Sequence, residues 1–339
     1  MTQNDHLALI ARLQERTHAC ISEYIDTSAP LAIVDFPDIK NCGDSAIWLG
    51  EMAYLRDRFN KRPSYVSRMR DFSAAALARK VPEGPIFIHG GGNFGDIWPA
   101  HQDFRELVLE KFIGREVIQF PQSIHFQSND RLEQAKRRID RHGKFVLLVR
   151  DERSRQFAER HFNCTVRLCP DMAFCIGPTL STKAAIPVLA MLRQDKERKA
   201  HDKALFPCDL PTEDWITESS LQVRLAKLAG GISALRENAR HEFRLRLLDA
   251  AANNRFRRGI QQISRGKAIV TDRLHVHICS LLIGRPHAVL DNSYGKLGGF
   301  MDAFSGGTTL SHKATSLQEA VTWAALRAAQ VTAEATPNE

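Results

Sequence analysis

Residues 85–98 read PIFIHGGGNFGDIW: a short apolar run, three successive glycines, then Asn93, Gly95 and Asp96. An apolar run broken by a glycine turn marks a strand-to-helix step of an α/β protein. Gly90, Gly92 and Gly95 also spell G-x-G-x-x-G, the dinucleotide fingerprint. In a dinucleotide fold that turn follows the first strand, and an acid closes the next one. Here the turn follows a later strand, and the next one ends in QFPQS (119–123) with no acid. The spacing therefore does not support a redox-cofactor site.

Working outward, LAIVDF (31–36), EVIQF (116–120), FVLLV (145–149) and TVRLC (165–169) join PIFIH (85–89) as buried parallel strands, with a weaker one at 64–69. Residues 46–59, 104–114, 131–143 and 153–162 carry helical spacing, two of them closed by glycine. This pattern predicts a doubly wound βα domain over 1–178. A second α/β unit, 179–325, starts with IPVLAMLR (186–193) and continues through a long helical region at about 219–265. KAIVTD (267–272), the helix HVHICSLLIG, the strand HAVLD (287–291) and a last helix from 317 complete it. Residues 326–339, ending VTAEATPNE, read as a flexible tail. The expected fold class is α/β, with two Rossmann-like doubly wound domains facing a cleft at the carboxyl ends of their strands.

Bulk properties agree with a globular chain. Its 339 residues are 43% hydrophobic and 25% charged, and no apolar run approaches the roughly 18 residues of a membrane span. The N-terminal MTQNDHLALIARLQERTHAC has acids and arginines where a secretory signal needs an apolar core, so the expected location is cytoplasmic. Seven cysteines form no C-x-x-C pair, and no spacing fits a structural metal, so reduced, mostly buried thiols and no metal are expected. The net charge of +8 favours anionic partners. The arginines of the long helical region (Arg224, Arg236, Arg240, Arg244, Arg246, Arg255, Arg257, Arg258) are interleaved with acids and leucines and read as a solvated helix face. The alternative for them is attraction to anionic lipid at the inner membrane or to a diphosphate-linked acceptor. Without aromatic interleaving, nucleic acid is not an expected partner.

Two loops echo each other as N-x-G-D between a strand end and a helix start: Asn41, Gly43 and Asp44, then Asn93, Gly95 and Asp96. Glycine permits close backbone approach, and exposed N–H groups at a helix start favour an anion. Asp44 and Asp96 either cap their helices or work as a base. In VTDRLHVHICSLLIG (270–284), Asp272, Arg273, His275 and His277 gather where a strand gives way to a helix, at the predicted cleft. Arg273 can fork two hydrogen bonds onto a carboxylate or phosphate, and His275 can add charge or move a proton. Lys296, in the glycine-rich DNSYGKLGGF (291–300), is a second anion contact or a solvated lysine. Arg150, in VRDERS (149–154), either pairs with Asp151 or points at the same anion.

Together IHGGGNFGDIW, QFPQS, VRDERS, PDMAF and TDRLHVHICSLLIGRPHAVLDNSYGKLGGF resemble the polysaccharide pyruvyltransferase family over about residues 31–175 and 265–305. The resemblance implies an architecture similar to GT-B glycosyltransferases. It also implies transfer of the pyruvyl group of phosphoenolpyruvate onto two hydroxyls of a sugar, as a ketal, in exopolysaccharide biosynthesis, on a saccharide acceptor that is a lipid-linked repeat unit or a finished polymer. The family's R-L-H motif falls on Arg273, Leu274 and His275, and its strand-end arginine and loop aspartate on Arg150 and Asp44. On this reading Arg150, Arg273, Leu274, His275 and Lys296 hold phosphoenolpyruvate, and Asp44, His275 and Arg273 carry the chemistry. Asn41, Gly43, Gly91, Gly92, Asn93 and Asp96 line the acceptor loops. No cofactor is needed. The rival expectations are a nucleotide-sugar glycosyltransferase and a non-catalytic anion-binding subunit.

Overall fold

A computed structural model describes residues 5–193, 210–236, 242–291 and 296–335. Its frame is twelve strands: β1 (Ala32–Val34), β2 (Tyr65–Val66), β3 (Ile86–Ile88), β4 (Gly91–Gly95), β5 (Val117–His125), β6 (Phe145–Val149), β7 (Thr165–Leu168), β8 (Ile186–Met191), β9 (Thr212–Glu213), β10 (Gly266–Thr271), β11 (His287–Leu290) and β12 (Ser311–Ala314). They form two all-parallel sheets, ordered β2-β1-β3-β5-β6-β7, with β4 beside β5, and β12-β11-β10-β8-β9. The protein is thus mixed α/β with parallel sheets.

Eleven helices lie among the described residues: α1 (Asp5–Ile21), α2 (Cys42–Phe59), α3 (Ala74–Lys80), α4 (Pro99–Lys111), α5 (Asn129–His142), α6 (Glu152–His161), α7 (Ser220–Arg236), α8 (Phe243–Ser264), α9 (Leu274–Leu282), α10 (Lys296–Phe300) and α11 (Leu317–Ala335). Both sheets are covered on both faces, which is why their strands read as continuous apolar runs. In the first sheet Ile33, Phe87, Ile118 and Leu148 pack toward α2 and α8. Their neighbours Ala32, Val34, Ile86, Ile88 and Leu147 pack toward α3 to α6 on the other face. In the second, Leu189, Met191 and Ile269 meet α1, α8 and α9, while Val188, Ala190 and Val270 meet α11.

Several local readings change. The second N-x-G-D is not a strand-to-helix turn. Residues 91–95 run as β4 along the far end of β5, and α4 starts only at Pro99. Gly95 makes this course feasible: its φ is +122°, and a Cβ there would stand 1.7 Å from the His125 carbonyl oxygen. The long helical region is two helices, α7 and α8, and residues 237–241 between them, with Arg240, lie outside the described residues. Its arginines are not all on a solvated face. Arg255 is buried, with Nε 2.6 Å from Glu218 and a second contact to Asp38, and so ties α8 to the loop after β1. Alanine-rich α11 continues through residues 326–335, assigned above to the tail. Cys20, Cys42, Cys164, Cys169, Cys175 and Cys279 are free, and Cys208 lies outside the described residues. Among the described residues no helix is long and apolar enough to cross a membrane.

Candidate active site

Counting strands along the chain, each sheet begins with the same order. β2-β1-β3-β5 and β9-β8-β10-β11 are both 2-1-3-4, the flavodoxin-like winding rather than the dinucleotide-binding 3-2-1-4. In such sheets a ligand crevice opens where the order reverses, beyond the carboxyl ends of the flanking strands. Those places are β1/β3 in one sheet and β8/β10 in the other. A cavity of about 270 Å³ lies at both. Asn41 and Asp44 come to it from the β1–α2 connection, His89 from the end of β3, and Gly92 and Asn93 from β4. Arg193 follows β8, and Arg273, Leu274 and His275 follow β10. Arg150 from the end of β6, with Trp98, His101 and Trp215, completes the polar and aromatic wall.

The two strand-end arginines are built alike. Arg150 is buried, its guanidinium 2.6 Å from Asp171 and its Nε donating to Ser123 at 3.1 Å. Ser123 in turn donates to Asp151, which caps α6 by accepting from the Ser154 N–H. Arg273 is buried too, with its guanidinium 2.6 Å from Asp214 and its backbone N–H on the Thr271 hydroxyl. Each arginine is therefore fixed in place before any ligand arrives. Asp171 has a second neighbour, since His275 Nε2 stands 3.5 Å from its carboxylate. Burial alone would raise the Asp171 carboxyl, but His275 and Arg150 overcome it and hold it well below the ordinary carboxylate range.

On the other wall, His101 Nδ1 lies 2.9 Å from Asp35. Asp35 takes φ +69° at the end of β1, a conformation that costs a non-glycine residue of order 1–3 kcal/mol and that clusters at functional sites. Asn93 accepts from Arg105 at 2.9 Å and from Gln122 at 3.0 Å, and its N–H donates to Gln122. The QFPQS stretch thus holds site groups in place: Gln119 and Gln122 both donate to the His89 carbonyl, Gln122 also holds Asn93, and Ser123 braces Arg150. Asp44 lies in the first turn of α2, whose cap is Asn41, accepting from the Gly43 N–H. Among the described residues the Asp44 carboxylate has no hydrogen-bond partner.

Of the residues singled out from sequence, Asn41, Asp44, Gly92, Asn93, Arg150, Arg273, Leu274 and His275 line the one cavity. Gly91 and Gly43 sit just behind it, against Asp44 and His275 respectively. Asp96 does not line it. Its carboxylate accepts the N–H groups of Gln127 and Ser128, holding the turn before α5. Lys296 opens α10, but its side chain lies outside the described residues. His277, offered with the R-L-H cluster, is buried away from the cavity between His287 and Ser305. Sequence reasoning missed His89, His101, Asp35, Glu51, Asp171, Asp214 and Arg193. Only Asp171, in the quoted PDMAF, and His89, at the head of the glycine turn, stood in a stretch already under suspicion.

A sequence profile of the family described as polysaccharide pyruvyl transferase matches residues 41–294, from the Asn41 cap to just beyond β11. The chain belongs to the polysaccharide pyruvyl transferase family. It is 32% identical to Pyruvyl transferase 1 of Schizosaccharomyces pombe, over 83% of this chain and 71% of that one. It is 27% identical to the putative pyruvyl transferase EpsO of Bacillus subtilis, over 81% and 85%. A solved structure of a functionally uncharacterised Klebsiella pneumoniae protein covers 89% of this chain and 99% of its own, with a TM-score of 0.58. At 19% identity that likeness concerns the fold alone. The cavity described above is accordingly the candidate active site of a pyruvyltransferase.

Proposed function

We propose that this pyruvyltransferase moves the pyruvyl group of phosphoenolpyruvate onto two hydroxyls of a saccharide, closing a ketal and releasing phosphate. The reaction takes place in a GT-B-like cleft between units at 1–178 and 179–325. One observation carries the reading: Arg150 and Arg273, each buried and each braced by a carboxylate, come from different sheets to one cavity. Phosphoenolpyruvate has two anionic ends to match them. The cavity's 270 Å³ lies below the roughly 300–1,000 Å³ of pockets that engulf larger ligands, which suits a three-carbon phosphate beside one sugar ring better than a nucleotide sugar.

In this reading Arg150 and Arg273 hold the phosphate and carboxylate, with His275 as a further anion contact and Leu274 packing against the donor. Asp44, unpartnered in the first turn of α2, takes the proton of the attacking hydroxyl. Asn41, Gly92 and Asn93 face the acceptor. C–O bonds are exchanged with no net change in oxidation state, so no cofactor is required. Phosphoenolpyruvate at about 100 times its Kd should add about 2.7 kcal/mol to folding stability, a melting rise of a few degrees. The rise should vanish in Arg273→Lys. Stabilisation by nucleotide sugars in its place would sink the donor assignment.

The acceptor is a saccharide of the exopolysaccharide class in its lipid-diphosphate-linked form, met at a membrane surface. Leu221, Leu225, Leu228, Ile232 and Leu235 of α7 are exposed at alternating spacings of four and three, flanked by the exposed Arg224 and Arg236. An apolar stripe edged by arginine suits an anionic lipid interface. Co-sedimentation with phosphatidylglycerol vesicles, absent with phosphatidylcholine and reduced at least about tenfold in Leu221→Glu/Leu228→Glu, is expected. Equal sedimentation of the variant would remove the membrane from the reading.

A further inference from the structure

The proposed chemistry leaves one proton without a source: the one that turns the donor's methylene into a methyl. The cavity holds a group built for it. His89, at the end of β3, lines the cavity yet is only 1% exposed. Its Nδ1 lies 3.0 Å from the carboxylate of Glu51 on α2, and Glu51 is itself fully buried and accepts the Gly90 N–H at 2.9 Å. With Nδ1 taken, Nε2 is the one polar atom the ring has left, and it has no hydrogen-bond partner among the described residues. A buried nitrogen without a partner costs free energy, about 1–3 kcal/mol for a neutral group, and a purely structural histidine would be expected to satisfy both. A ring that lines a ligand cavity, with a carboxylate on one nitrogen and no partner on the other, suits an oriented acid–base group.

We propose that His89, oriented by Glu51, is the catalytic proton donor to the methylene carbon of the enolpyruvyl donor. The inference rests on phosphoenolpyruvate being that donor. The Nε2 proton goes to C3, C2 takes on cationic character, and the first hydroxyl oxygen adds to C2 as Asp44 takes its proton. The C2–O bond to phosphate then breaks, and phosphate leaves with the proton that Asp44 held. The second hydroxyl adds to C2 and returns its proton to His89 Nε2. Two hydroxyl protons are consumed, one ending on the methyl group and one on phosphate, and both residues are reset.

The surroundings favour the protonated form of the ring. Burial disfavours the imidazolium, but Glu51 outweighs it, with smaller pulls from Asp35 just after β1 and Asp44 on α2, so His89 lies above the ordinary histidine value. Burial, with a minor push from Asp171, also raises Glu51. An acid of this kind is active below its pKa and lost as pH rises through it. Removing the Glu51 charge lowers that pKa, so the alkaline limb of the rate profile moves to lower pH.

The test compares wild type, His89→Gln and Glu51→Gln. Phosphoenolpyruvate binding is followed by calorimetry, phosphate release with a pool of p-nitrophenyl hexosides, and the His89 ring by ¹H–¹⁵N NMR. His89→Gln should melt within a few degrees of wild type and bind phosphoenolpyruvate within about threefold. It should release phosphate about 10²–10⁴-fold more slowly. Glu51→Gln should retain binding, shift the alkaline limb to lower pH and lower the His89 titration, whereas a merely structural Glu51 would move neither. Phosphate release by His89→Gln at the wild-type rate, a parallel loss of donor binding, or a His89 resonance unmoved by phosphoenolpyruvate overturns the assignment. If wild type itself fails to bind phosphoenolpyruvate, the donor reading falls, and the proton-donor role falls with it.

Discussion

Arg273→Ala is expected to lower pyruvyl transfer at least about a hundredfold, the usual loss when one preorganised charge-stabilising donor is removed. The guanidinium sits where β10 gives way to α9, and its backbone N–H is tied to Thr271, so its position is set by the fold rather than by the ligand. The substitution also leaves the Asp214 carboxylate buried and without its 2.6 Å partner. Stranding one member of a buried pair typically costs about 3–5 kcal/mol, so a loss of activity alone would be ambiguous. Arg273→Lys separates the two effects. It keeps a cation for Asp214 but loses the planar fork, so stability should largely return while phosphoenolpyruvate binding and transfer do not. Steady-state kinetics beside thermal melts of both variants decide it. A lysine variant that transfers at the wild-type rate would mean that Arg273 braces Asp214 and nothing more.

The strands were legible because parallel strands buried on both faces must be continuously apolar, and LAIVDF, FVLLV and KAIVTD have few other uses. The R-L-H turn and the Asn41–Asp44 loop were legible because polar residues at a strand's carboxyl end stand where an α/β sheet binds ligands. Glu51 was not. It lies within LGEMAYL on a helix, where a lone acid reads as a solvated face, and only packing against His89 places it in the interior. Asp214 was hidden for another reason. It meets Arg273 across 59 residues through β9, a two-residue strand with no periodicity to read. The second N-x-G-D misled because local spacing cannot tell a helix start from a strand that hugs its neighbour. The difference lies in the His125 carbonyl against Gly95, a long-range contact. In each case the missed feature is a pairing between distant segments, which one sequence does not encode locally.

Gly43→Ala tests whether the two halves of the cavity must meet as closely as they do. Gly43 lies in the first turn of α2 with no left-handed backbone angle, so helix propensity alone would make alanine stabilising by up to about 1 kcal/mol. The tertiary structure reverses the sign. A Cβ there would come within 2.4 Å of His275 Nδ1, 2.5 Å of its Cγ and 2.7 Å of its Cβ. Because His275 Cβ is anchored to α9, swinging the ring aside cannot relieve all three contacts. Either His275 leaves Asp171 and the cavity, or α2 and α9 move apart and carry Asp44 away from Arg273. Both outcomes displace reacting groups by about an ångström, a misplacement that can cost about a hundredfold in rate. The expected result is therefore a fold that survives and a transfer rate at least about a hundredfold down, seen in the same assay as Arg273→Ala. Normal transfer by Gly43→Ala would mean that the approach of His275 to the start of α2 is not part of the working site, and His275 would lose its place beside the donor.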